Sequence, residues 1–95
     1  MPREHCQVTF CFDPAVPLDE VDGTLRLSLM ATESLHGYDR LRLEPATSID
    51  REHRTCVIHT TTAVGRSLAA IFLGYARREF GEDAVRMLHP GGGTR

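Results

Sequence analysis

The sequence contains no lysine: all eleven basic residues are arginine, set against thirteen Asp and Glu. The net charge is −2, and no basic run interrupts the balance. Non-specific nucleic-acid binding depends on neutralising phosphates, so this composition argues against it. Arginine binds planar anions well, but it is also a routine surface residue. Cysteine is scarce as well. Cys6, Cys11 and Cys56 form no C-x-x-C pair, and an odd count does not suit a disulfide framework. They read as reduced thiols acting as small hydrophobes. No apolar run approaches the ~20 residues of a membrane span. The charged first seven residues also lack the apolar stretch of a secretory signal. The expectation is a cytoplasmic chain with no membrane and no nucleic-acid partner.

What is present is ordinary globular material. Ninety-five residues, 41% apolar and 25% charged, suit a single α+β domain over residues 1–90. The tail 91–95 follows Pro90, has nothing to pack and is expected to be disordered. Residues 6–12 read as a strand, because Cys6, Val8, Phe10 and Phe12 alternate with Gln7, Thr9 and Cys11. Asp13-Pro14 ends it. In residues 18–36 two patterns compete. Leu25, Leu27 and Leu29 alternate like a strand, whereas Leu18, Val21, Leu25, Leu29 and Leu35 share one helical face. Nineteen residues with no turn signal except Gly23 favour the helix, with Gly37 as its C-cap.

Residues 39–60 read as a β-hairpin turning at Asp50-Arg51-Glu52-His53. This register sets Ile49 opposite Arg54 and Thr47 opposite Cys56, and it groups Leu41, Leu43, Ile49, Cys56 and Ile58 on one face. Pro45 makes the first arm an edge strand. A second helix runs from about Ala63 to Phe80, capped by Thr61 or Thr62. Its expected buried stripe is Val64, Leu68, Ile71, Phe72 and Tyr75. Gly74 within it suggests close packing on a neighbour. Residues 84–88 supply a last strand. The order β-α-β-β-α-β in about 90 residues implies a two-layer, ferredoxin-like sandwich: a four-stranded antiparallel sheet with both helices on one face. The fallback, if 84–88 is not a strand, is a βαββα layer. This architecture hosts many functions, so it narrows function little.

Three constellations are candidates for chemistry. The first is the open sheet face, which carries His5, Gln7, Thr9 and Cys11 from the first strand and Thr55, Val57 and His59 from the third. Imidazoles and a thiol are zinc or copper ligands, but no chelating spacing links them, so no metal and no cofactor is expected. Burial against a second copy is the better use of such a face. Base stacking needs aromatics there, and Phe10 and Phe12 point the other way.

The second candidate is the strand-to-helix turn with Thr60, Thr61, Thr62, Gly65, Arg66 and Ser67. Free N–H groups, hydroxyls and Arg66 suit an anion at the positive helix end. Gly65-Arg66-Ser67 stands where a phosphate loop has Gly-Lys-Ser/Thr, but Thr60 replaces that motif's first glycine. Simple N-capping explains the same residues. The third candidate is a Cys–His pair. Cys56 and His59 have opposite parity on one strand, Cys6 and Cys56 fall on the core face, and only Cys11 is accessible. No oriented base and nucleophile emerge. Asp19, Glu20 and Asp22 sit where they favour the helix dipole. Leu27, Met30, Leu73 and Phe80 fall outside both helical stripes.

The sequence therefore supports a small non-enzymatic interaction or regulatory module that forms a homodimer, through its open sheet face or its outer helix surface, or binds another protein. The competing reading is an anion- or small-ligand-binding domain built on Thr60–Ser67. A concave pocket at Gly65 would favour the ligand, and a flat, buried cap would favour the interaction module.

Overall fold

Period-2 alternation makes a strand that buries one face, and β1 (Gln7–Phe12) does this: Val8, Phe10 and Phe12 are buried while Gln7, Thr9 and Cys11 are half-exposed. The computed structural model describes residues 7–37 and 47–88. Asp13 turns the chain after β1, its carboxylate accepting the Ala15 N–H at 2.9 Å. Helix α1 (Leu18–His36) follows, opening on Pro17 with Asp19 and Glu20 in its first turn. It ends at Gly37, which adopts φ 92° and returns its N–H to the Glu33 carbonyl. Strand β2 (Thr47–Asp50) and strand β3 (Thr55–His59) form the hairpin. Helix α2 (Ala63–Phe80) is followed by a short 3₁₀ turn at Glu82–Ala84 and strand β4 (Val85–Leu88).

The four strands form one antiparallel sheet in the order β2-β3-β1-β4. This is the expected βαββαβ sandwich rather than the βαββα fallback, since β4 pairs with β1. β2 is an edge, as expected for the first arm of the hairpin. The helices cover the sheet face bearing Val8, Phe10, Phe12, Cys56, Ile58 and Val85. Phe72 of α2 lies at the centre of this layer. It meets Phe10 edge-on at 5.1 Å between ring centroids and Phe12 at 6.2 Å, the arrangement that ring quadrupoles favour.

The hairpin register differs from the expected one by two residues: Ile49 faces Cys56 and Thr47 faces Ile58. Arg54 adopts φ 55° and belongs to the turn, so the loop is 51–54 rather than 50–53. A shift of two preserves the faces, so the apolar grouping of Ile49, Cys56 and Ile58 survives. The grouping of Leu41 and Leu43, the position of Pro45, and the expectations for His5, Cys6 and the tail lie outside the described residues.

Both helices bury a different stripe from the one expected. On α2 the buried residues are Val64, Gly65, Leu68, Ala69, Phe72 and Ala76. Tyr75 is exposed and Ile71 only half-buried. At 100° per residue this is a rotation of roughly 60° from the expected face. Small side chains let α2 approach its neighbours, and counting only large apolar residues hides them. The rotation brings Leu73 and Phe80 against the core, so neither is surplus. Gly74 is exposed, with no atom within 4 Å of where a Cβ would stand, so it marks no close packing.

On α1, Thr24, Ser28 and Thr32 are buried with Val21 and Leu25. Their hydroxyls are satisfied locally: Ser28 donates to the Thr24 carbonyl at 2.8 Å and Thr32 to the Ser28 carbonyl at 2.7 Å. Leu35 is 67% exposed. A nineteen-residue helix is about 28 Å long, whereas the six residues of β1 reach about 20 Å. The helix is therefore longer than the strand beneath it.

Candidate functional site

Two regions singled out by the sequence are formed by described residues, and each has a definite geometry. The first is the start of α2. Thr62, in an extended conformation, is the N-cap, and its Oγ1 accepts the Gly65 N–H at 3.0 Å. The Arg66 N–H closes the first turn on the Thr62 carbonyl at 3.0 Å. The Arg66 guanidinium folds back to donate to the Thr60 carbonyl at 3.3 Å. Ser67 turns away from the helix start: its Oγ lies 2.8 Å from Nε2 of His36 at the end of α1. Gly65 is packed on the His59 carbonyl, leaving no room for a Cβ. Thr61 is exposed. Thr62, Gly65, Arg66 and Ser67 are thus each engaged in holding β3, α2 and α1 together. The arrangement is a helix N-cap tied to β3 and α1, with Thr61 and Arg66 exposed at its outer side.

The second region is the face of the sheet opposite the helices, which no described residue outside the sheet covers. Strand pairing arranges it in rows. One row runs Ser48, Val57, Thr9, Leu88 across β2, β3, β1 and β4. The next runs Asp50, Thr55, Cys11, Arg86. Gln7 faces His59 in a third row. Cys11 is opposite Thr55. His53 is instead held in the hairpin turn, with Nδ1 2.8 Å from Oδ2 of Asp50. Asp50 Oδ1 also accepts the Glu52 and His53 N–H groups at 3.0 and 3.2 Å. The His53 contacts hold the Asp50 carboxyl below its ordinary value of 3.8, with the side-chain hydrogen bond as the largest cause. Asp50, Glu52 and His53 form the one cluster of metal-type ligands among the described residues. All three are exposed, and the Asp50 carboxylate is already committed to the turn.

The cysteines divide by face. Cys56 lies in the core, and burial pushes its thiol up to about 12, which makes it inert. Cys11 is half-exposed on the open face. Cys56 and His59 point to opposite sides, so they form no pair.

Three features escaped the sequence reading. The His36–Ser67 bond joins residues 31 apart, and nothing local signals it. Arg54 reaches across from the hairpin turn to donate Nη2 to the Asp13 carbonyl at 2.9 Å and to the Val16 carbonyl. A groove of about 500 Å³ runs along the outer surface between α1 and α2, lined by Leu27, Met30, Tyr75, Arg78 and Glu79 among others. Leu27 and Met30 were expected on the outside, and they are 58% and 62% exposed. Tyr75 was expected inside.

Comparison of the chain with protein-family models, with curated proteins and with solved structures returns no match. No helix among the described residues is long and apolar enough to cross a membrane.

Proposed function

We propose that this protein is a small, non-enzymatic interaction module that works as a homodimer. The observation that carries the reading is the one-sided sheet: both helices lie on one face, and the other presents half-exposed Thr9, Cys11, Thr55 and Val57 at its centre. A chain of this size has a thin core, and association adds buried area. The face holds no Phe, Tyr or Trp among the described residues, so it offers no platform for base stacking. The competing anion-binding reading has less support, because Arg66 and the Thr62 hydroxyl are spent on the protein's own backbone. A cytoplasmic location accords with the cysteine chemistry. Sedimentation equilibrium at micromolar concentration tests the proposal. A species of twice the chain mass is the expected result, and a monomer throughout would refute it.

A further inference from the structure

We infer that the sheet face opposite the helices, open among the described residues, seats a second copy of this chain about a two-fold axis parallel to the strands, with Asp50 of each copy over Arg86 of the other. This rests on the self-association reading above and specifies its surface and register.

The row of Asp50, Thr55, Cys11 and Arg86 carries a negative charge at the β2 edge and a positive charge at the β4 edge. The centre of the face lies between β3 and β1. A half-turn about a line parallel to the strands through that centre exchanges the two edges and leaves each row at its own height. Asp50 then falls over Arg86 of the second copy, and Arg86 over Asp50. Thr55 falls over Cys11, and Val57 over Thr9. A two-fold axis across the strands would instead superpose different rows and leave both charges without their opposites. Isologous contacts must be self-complementary in this manner, and charge complementarity is what fixes register at an interface. Aligned sheets cross at about 30°, a displacement that a long arginine side chain can span.

Asp50 is prepared for this contact. Three hydrogen bonds from Glu52 and His53 fix its carboxylate, yet the side chain stays 50% exposed. A carboxylate has about four acceptor positions, so one remains for a guanidinium.

The test is sedimentation equilibrium of the full chain at low salt, with far-UV circular dichroism to verify folding. Arg86→Glu sets two carboxylates together at each edge and is expected to raise the dimer dissociation constant roughly tenfold or more. Arg86→Gln, a milder change, is expected to raise it by less. Thr9→Arg, close to the axis, is expected to give a monomer. The double variant Leu27→Glu, Met30→Glu alters only the outer helix surface and is expected to dimerise normally. Raising the salt is expected to weaken the wild-type dimer several-fold. A dimer indifferent to Arg86→Glu and Thr9→Arg but lost in the Leu27, Met30 variant would overturn the sheet-face dimer while leaving self-association intact. A wild-type chain that stays monomeric would overturn both.

Discussion

The carbonyl of His59 occupies the space that a side chain at Gly65 would need. Both partners are backbone, one at the end of β3 and the other in the first turn of α2, so neither can rotate away. Gly65→Ala is therefore expected to destabilise the fold by about 2–3 kcal/mol, the upper range for overpacking. Gly74→Ala provides the opposite sign within the same helix. Gly74 is exposed with open space around it, and alanine there is expected to stabilise by roughly 0.5–1 kcal/mol. Urea unfolding midpoints of the two variants check both values.

Arg54 ties the hairpin turn to the loop leading into α1 through the carbonyls of Asp13 and Val16. It does so from a left-handed backbone conformation, φ 55°, which costs a non-glycine residue about 1–2 kcal/mol. Arg54→Ala removes the guanidinium and keeps that cost. The expected loss is about 1.5–3 kcal/mol, the range for hydrogen bonds to a charged group. Arg54→Gly also loses the bonds but relieves the backbone, so it is expected to be the more stable of the two. The reverse order in thermal unfolding would show that the left-handed turn conformation carries no cost at this site.

Period-2 and helical alternation carried most of the architecture. The faces of β1 and β3 and the limits of both helices were legible because the burial pattern and the cap residues, Gly37, Thr62 and Gly81, agree with the local sequence. The faces of the helices were not, because the closest-packed positions hold small or hydroxylated residues. Gly65, Ala69 and Ala76 on α2, and Thr24, Ser28 and Thr32 on α1, carry little apolar weight, while Ile71, Tyr75 and Leu35 carry much. An i, i+4, i+8 spacing of small residues was the available signal on α1. The hairpin register slipped because Arg54 gives no compositional sign of a left-handed conformation. The His36–Ser67 and Arg54–Asp13 contacts depend on the tertiary arrangement alone.

Thiol reactivity follows the two faces of the sheet. Cys56 is fully buried among apolar side chains, with its thiol pushed up to about 12. Cys11 is half-exposed on the uncovered face. With iodoacetamide at pH 8, in protein diluted until the chain is monomeric, Cys11 is expected to be alkylated in the folded state, while Cys56 reacts only when the fold opens. Peptide mass mapping over a time course separates the two. Comparable rates at both positions would contradict the assigned strand parity. Cys56→Ala, which leaves a small void beside Phe10 and Ile49 in the sheet, is expected to cost about 1 kcal/mol.

The Asp50 carboxylate makes the acid limb of stability predictable in sign. His53 holds it with a side-chain hydrogen bond, reinforced by the His53 backbone N–H, and these contacts depress its pKa below the ordinary 3.8. A carboxyl depressed in the folded state binds protons more readily when unfolded, so stability falls as the pH falls. The contribution is fully present above the ordinary value, and it is lost as the pH drops through the lower, folded one. At pH 6, Asp50→Ala is expected to lower the urea midpoint, because the turn loses all three hydrogen bonds. As the pH falls from the ordinary value of 3.8 through the lower, folded one, the wild-type carboxyl is itself protonated, so the gap between wild type and variant is expected to narrow. Asp50→Asn keeps an oxygen for the Glu52 and His53 N–H groups and removes the charge. It should therefore lie between the two at pH 6 and show a flatter acid limb than wild type. A gap between wild type and Asp50→Ala that stays constant as the pH is lowered through the whole acid limb would mean that the carboxylate's charge contributes nothing to the turn.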